Sequence, residues 1–485
     1  SHPTIPKANI PKWCITIFKE KAFRRFRELI GTFVVVIDDP KEQRIVFVSD
    51  ILGLRPFFFG QYEDRLVFGS DVWSMFEAGL SEGKIDYDAL SAWVTYKFNC
   101  TSGSLFTDLH RLPPGTIVSF QNKTATDIPY AEFGEEQLAT STKDVSQDIH
   151  DIVSTTLKIL LSDHPQTWLS LSGGFDSRYL LALSTIHSKT PPLCATVDCS
   201  EDRVSTASLI ADTLNVPLRV FTAPKSTWDL FKEVFHYTAD GFPISKHVLY
   251  RLAMESSGVP IVNGYLGDFL IRGARDTCLG RYEQDCNNNL SEVLQKHHKG
   301  ANFRIFRSSI AKRILDRSRV PMDLAVEKWS KSGQSFIRAD LYYRQRFYIS
   351  NNFLQHLPLT EALLPFYSWE LIDYKLCRDF SLFNNELYAH IFWNFFPRIA
   401  NIPKSKNEAH SSISEHTKKW SREFIPLISG RHRPSVVSGF RKLPWVIAGI
   451  VGASKVESTI LLLKRLSMLE DRILSSGIDF DWYRI

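Results

Sequence analysis

From Val145 onward the apolar residues change rhythm, and that change restricts the fold more than any other feature of the chain. Val145, Ile149, Ile152, Val153, Leu157, Leu160 and Leu161 recur three and four apart, the spacing of an amphipathic helix. Short apolar strands then alternate with helical runs. Strands are expected at 168–171, 193–197, 218–222 and 260–263, and helices at 177–187, 203–214, 227–238 and 246–257. Such alternation predicts a parallel sheet covered by helices on both faces. Sheets of that kind bind ligands at the carboxyl ends of their strands. There the sequence places Ser172-Gly173-Gly174-Phe175-Asp176-Ser177, between the strand 168–171 and the helical run 179–183.

A glycine-rich turn from strand to helix presents backbone N–H groups at a helix N-terminus, an anion site suited to phosphate or pyrophosphate. Gly173 and Gly174 let the backbone approach the ligand, and Ser172 and Ser177 add hydroxyl donors. Asp176 would repel a bare phosphate, which calls for an intervening cation, most simply Mg²⁺. No Gly-Lys-Ser/Thr follows the glycines, so the turn is not a Walker loop. The third glycine of the dinucleotide fingerprint is also missing.

Before residue 130 the chain reads as β-rich. Gly31 to Ile37 and Arg44 to Val48, joined through Asp38-Asp39-Pro40, predict a hairpin. Phe57 to Phe59 and Arg65 to Phe68 predict a second, and Leu112-Pro113-Pro114-Gly115 turns into a further strand. A helix is expected near 86–96, a polar linker over 133–143, and a mostly helical, aromatic region beyond 300. The predicted division is a β-rich domain over 1–135 and an α/β domain over 144–485.

Composition excludes several classes. A net charge of +5 over 485 residues is too weak for a nucleic-acid partner, and the 34 Phe and 11 Trp suit cores and pocket walls better than a stacking platform. Seven scattered cysteines without a CxxC pair fit a reducing, cytoplasmic setting rather than a disulfide framework. The apolar run 443–453 contains Pro444, Gly449 and Gly452 and is too short to span a bilayer.

The 172–177 turn resembles the pyrophosphate-binding loop of ATP pyrophosphatases. Around it, an ordered set of motifs is similar to the asparagine synthetases. Ser49-Asp50-Ile51-Leu52-Gly53-Leu54-Arg55-Pro56-Phe57-Phe58, Phe68-Gly69-Ser70-Asp71 and Leu112-Pro113-Pro114-Gly115 resemble their glutaminase half. Asn263-Gly264-Tyr265-Leu266-Gly267-Asp268, Leu364-Pro365-Phe366 and Ile402-Pro403-Lys404 resemble their synthetase half. The resemblance implies an Ntn-hydrolase-like N-terminal domain, short by its first strands. It implies an adenine-nucleotide α-hydrolase-like domain after it, so that the whole is α/β and α+β. It further implies ATP and Mg²⁺ as cofactors, and a small-molecule or peptide carboxylate and an amine donor as partners. A homodimer is one assembly it allows.

Two departures from the family stand out. Its glutaminase halves begin with a nucleophilic cysteine, whereas this sequence begins Ser1-His2-Pro3, and Cys14, placed just before a predicted strand, reads as a core residue. Glutamine hydrolysis is therefore not expected unless a native start was removed. The 264–268 motif carries Tyr265 where asparagine synthetases carry glutamate, which is similar to β-lactam and carbapenam synthetases. The glutamate that supports that tyrosine has no counterpart near Tyr348 to Asn351.

The site roles implied are these. Ser172, Gly173, Gly174, Ser177 and Gly264 would cradle pyrophosphate, and Asp176 and Asp268 would hold Mg²⁺. The strand end at Val197 would meet adenine. Lys404 would neutralise the α-phosphate, and Tyr265 would act in catalysis. Arg178 fits either a ligand contact or a helix surface. Arg344, Arg346 and Asn351 fit either an acidic-substrate pocket or a solvated face. The reaction expected is adenylation of a carboxylate followed by attack of an amine. Intramolecular ring closure and a non-catalytic nucleotide-binding scaffold are the alternatives.

Overall fold

The computed structural model describes residues 1–62, 64–96, 98–99, 101, 103–133, 145–188, 190–198, 201–222, 247–272, 335–354, 357, 359–378 and 382–402. Within them the chain is a mixed α/β protein with antiparallel and parallel sheets. The predicted linker and the helix at 227–238 lie outside the described residues.

The first element is a helix, α1 (Ile10–Lys19), which sequence reasoning did not anticipate. Cys14, Ile17 and Phe18 are buried on one of its faces, so Cys14 sits mid-helix rather than ahead of a strand. The expected hairpin follows as β1 (Val34–Asp39) and β2 (Arg44–Ser49). β3 (Phe58–Tyr62) and β4 (Arg65–Gly69) form the second hairpin, and β5 (His110–Arg111) extends it to three strands. Between them lie α2 (Val72–Glu77), capped by the Asp71 carboxylate on Ser74 N–H at 2.9 Å, and α3 (Tyr87–Tyr96). β6 (Thr116–Gln121) and β7 (Thr124–Pro129) turn through Asn122 and Lys123. Both have positive φ, the geometry that matches hairpin twist. The larger antiparallel sheet runs β1-β2-β6-β7.

After α4 (Val145–Asp163) come β8 (Trp168–Ser170), α5 (Phe175–His187), β9 (Leu193–Asp198), α6 (Glu201–Thr213) and β10 (Leu218–Thr222). β11 (Ile261–Val262) and β12 (Ala362–Leu363) complete a five-stranded sheet in the order β10-β9-β8-β11-β12, with every pairing parallel. Strand alternation sends neighbouring side chains to opposite faces. Trp168, Ala195 and Ile261 pack with Leu252 and Ala253 of the helix His247–Glu255. Leu169, Cys194 and Val262 join α5 and α6 in the main core. Both faces are thus covered, as the alternation predicted. α5 is buried on every side over 177–184, and its middle, Tyr179 to Leu183, is apolar all round to match.

The main core is continuous from Cys14 to Ile402, so the antiparallel and parallel parts share one buried seam. Polar contacts cross that seam. Arg338 donates to Phe133 O at 2.7 Å, Arg346 to Leu112 O at 3.2 Å, and Leu52 N–H to the Tyr367 hydroxyl at 2.9 Å. No helix among the described residues is long and apolar enough to cross a membrane.

Candidate functional site

The 172–177 loop leaves the carboxyl end of the central strand β8. Leu171 N–H still pairs with Ala195 O at 2.8 Å, and the chain then turns through Gly173 at φ +77° into α5. A side chain at Gly173 would be strained and would also lie 3.0 Å from Thr206 Cγ2 on α6. The loop is organised by its own hydroxyls. Ser172 N–H donates to Ser177 Oγ at 3.1 Å, Gly174 N–H donates to Ser172 Oγ at 3.3 Å, and the two hydroxyls lie 3.1 Å apart. Gly174 is the N-cap residue of α5 without a side-chain cap, so the helix start keeps backbone donors at the sheet edge.

Asp176 lies in the first turn of α5 and is held from two sides. Tyr388, a fully buried residue of the helix Asn385–Phe395, donates its hydroxyl to Asp176 Oδ1. On the other side stands the second motif. A Cβ on Gly264 would lie 2.9 Å from Asp176 Cβ, and one on Gly267 would lie 2.7 Å from Asp176 Cγ. Both glycines are therefore required for close approach, and two motifs nearly ninety residues apart in sequence meet at one carboxylate.

Asp268 follows that motif at the start of a π-helical turn, Asp268–Arg272, and is exposed. Its carboxylate accepts from Arg272 Nη1 at 2.7 Å. Burial alone would lower the Arg272 pKa, but the charges of Asp268 and Asp176 together hold it above its ordinary value. Tyr388 is pushed well above the phenol range, first by burial and then by the same two carboxylates. The two acids therefore act on a common neighbourhood. Mg²⁺ takes oxygen ligands, commonly one or two carboxylates with phosphate oxygens and waters, and this pair fits that donor set. Among the described residues no cluster of three or more acid, His or Cys side chains forms a self-sufficient metal cage.

The remaining candidates are distributed unevenly. Val197 is buried near the carboxyl end of β9, beside β8. Tyr265 is buried, stacks edge-on against Phe353 and Tyr367, and donates its hydroxyl to Gln345 O at 2.9 Å. Burial first, and then Asp50 and Asp340, push its pKa well above the ordinary value. Lys404 lies outside the described residues. Arg346 and Asn351 are buried at the seam and bond to backbone carbonyls, and Arg344 reaches Asp340 Oδ1 at 3.4 Å. At Arg346 and Asn351 the basic segment is thus turned inward and is not a solvated face. Sequence reasoning missed both Tyr388, which only tertiary packing brings to Asp176, and Arg272, whose four-residue spacing from Asp268 was the local signal that could have found it.

Residues 14–131 match the glutamine amidotransferase domain model. The chain is 23% identical over 178 residues to glutamine-hydrolysing asparagine synthetase 2 of Bacillus subtilis (strain 168), a match covering 34% of this chain and 24% of that protein. It is 20% identical over 170 residues to asparagine synthetase 1 of the same organism, covering 34% and 26%. These matches support a likeness to the asparagine synthetase-like superfamily. The aligned stretch spans about a quarter of the length of these relatives. A solved structure of glutamine-dependent NAD⁺ synthetase from Acinetobacter baumannii, in complex with ADP, aligns over 94% of this chain and 82% of that one. At 11% identity and a TM-score of 0.22, that likeness carries no argument.

Within the amidotransferase match, the most connected polar group is Asp50. Its fully buried carboxylate accepts from Leu54 and Arg55 N–H at 2.9 Å, from Phe33 and Leu52 N–H at 3.3 Å, and from the Tyr367 hydroxyl. The Ser49 to Phe58 stretch is thus folded around Asp50 and locked to the parallel half by Tyr367. Cys14, the first residue of the match, is only 1% exposed, and burial pushes its thiol up to about 11. A thiol so placed supplies little thiolate near neutral pH, so it is unsuited to act as a nucleophile.

Proposed function

We propose that the chain is an ATP-dependent ligase that joins a carboxylate to an amine through an acyl-adenylate, releasing AMP and pyrophosphate. A carboxylate lacks a usable leaving group, and transfer of AMP to it creates one. The protein must then hold the triphosphate and offset the charge of departing pyrophosphate. The observation that carries the reading is the convergence of the 172–177 loop and the 264–268 motif on Asp176 at the carboxyl edge of a parallel sheet.

In this reading the chain divides into an Ntn-hydrolase-like domain over 1–135 and an adenine-nucleotide α-hydrolase-like domain over 144–485. Ser172, Gly173, Gly174, Ser177 and Gly264 receive the pyrophosphate, and the strand end at Val197 borders the adenine. Asp176 and Asp268 would hold Mg²⁺, which supplies charge neutralisation at the phosphates. Release of Asp268 from Arg272 would accompany its loading. Lys404 keeps its α-phosphate role on the resemblance alone. Tyr265 takes a packing role in place of the catalytic one, because its buried hydroxyl is committed to Gln345 O.

Cys14 is not the source of ammonia in this reading, because its thiol is buried in α1. The amine is then ammonia, free or released from glutamine elsewhere than at Cys14, or an amine within the substrate itself, as in ring closure. The test is product analysis with ATP, Mg²⁺ and a panel of carboxylates, with ammonia, glutamine or no added amine. AMP and pyrophosphate formed with one carboxylate, and lost in Asp176→Asn without loss of folding, are expected. ADP and phosphate as products would sink the mechanism. No ATP cleavage with any carboxylate, together with nucleotide binding that survives Asp176→Asn, would favour a scaffold.

A further inference from the structure

Arg178 follows the phosphate-type loop directly, yet its side chain points away from both solvent and the loop mouth. It is completely buried, between the rings of Phe175 and Phe392 at 5.5 and 5.8 Å from their centroids. Its guanidinium spans two segments. Nη2 donates to Gly173 O at 3.1 Å, and Nη1 donates to Ile402 O at 2.5 Å and Ile399 O at 3.4 Å. Burial lowers its pKa to about 10, so it remains charged at neutral pH.

The contact with Gly173 matters because of what lies on the other side of the same peptide. The Gly173–Gly174 peptide is trans and planar, so its C=O and N–H point in opposite directions. A guanidinium holding the carbonyl from inside therefore fixes the Gly174 N–H outward, where it meets Ser172 Oγ at 3.3 Å. With glycine on both sides of that peptide, little else resists its rotation. The same guanidinium holds the carbonyl of Ile402, the residue two before Lys404.

We propose that Arg178 is the positioning residue of the anion site: it sets the orientation of the Gly173–Gly174 peptide and joins the loop to the segment that leads into Lys404. The proposal rests on the nucleotide reading above and assigns to Arg178 the recognition of the pyrophosphate moiety specifically, acting through the loop backbone. Lysine cannot replace it, because one ammonium cannot bridge carbonyls on both segments with the fixed fork of a guanidinium.

The test uses the full chain with inorganic pyrophosphate and Mg²⁺ as one probe and adenosine, which carries no phosphate, as the other. Wild type, Arg178→Lys and Arg178→Met are compared, with folding followed by thermal melting. Both variants should lose about ten- to a hundredfold in pyrophosphate affinity, the worth of one hydrogen bond to a charged group, while adenosine affinity holds. Equal losses for both probes, or none for pyrophosphate, would overturn the proposal. If Arg178→Met does not fold, Arg178→Lys alone decides by the same selectivity. Pyrophosphate that fails to bind wild type overturns the nucleotide reading and the proposal with it. Binding by wild type with unchanged variants overturns the proposal alone.

Discussion

Replacing Gly267 by alanine tests whether the meeting of the two motifs at Asp176 is functional. A methyl there would lie 2.7 Å from Asp176 Cγ and 2.9 Å from Phe366 Cε2, whereas ordinary contact begins near 3.4 Å. The required displacement is 3.4 minus 2.7, or about 0.7 Å, at the carboxyl carbon, and it is larger at Asp176 Oδ1, which lies closer still. Asp176 has little freedom to give way, because Tyr388 holds one oxygen and the Gly264 backbone backs its Cβ. Overpacking of this kind costs on the order of 1–3 kcal/mol of stability, so the variant should still fold. Misplacement by about 1 Å costs on the order of 10²-fold in catalysis, so a ten- to hundredfold fall in carboxylate-dependent ATP–pyrophosphate exchange is expected. In an Asp176→Ser background the stability cost of the same substitution should shrink, because the colliding carboxylate is gone and only the Phe366 contact remains. Exchange within about threefold of wild type in a folded Gly267→Ala protein would refute the argument that this contact sets catalytic geometry.

Two further outcomes follow from the seam and from the buried cations. Tyr367→Phe removes a donor to the buried Asp50 carboxylate and an acceptor for Leu52 N–H, and should cost about 2–4 kcal/mol in denaturant unfolding, whereas a loss under about 0.5 kcal/mol would contradict the lock. Lys375 is fully buried between carbonyls of the 268–272 turn, and burial lowers its pKa from 10.5 to about 7. Between those two values the unfolded chain binds the proton that the folded chain has released, so this group's contribution to stability rises with pH and is flat below about 7. The stability of wild type relative to Lys375→Met should therefore climb from pH 7 to pH 10 in parallel urea titrations; profiles that stay parallel would show that Lys375 carries no such shift.

The sequence by itself determined the framework. The 3.6-residue rhythm located α4, because one-sided burial imposes it, and β-branched, aromatic and short apolar runs bounded by turn residues located both hairpins and the strands β8 to β11. The anion-type turn was legible for the same reason: strand, glycines and helix start are consecutive residues, and their backbone geometry is local. α1 was not foreseen. Its Cys14, Ile17 and Phe18 face a core supplied by distant segments. What only the tertiary structure decided is which charges meet. Tyr388 on Asp176, Tyr367 on Asp50 and Arg178 on Ile402 join residues through packing of separate elements. The same packing turned the basic segment around Arg346 inward to Leu112 O and placed the Tyr265 hydroxyl on Gln345 O. A side chain's residue type fixes what it can donate or accept, but its partner depends on where the rest of the chain brings it.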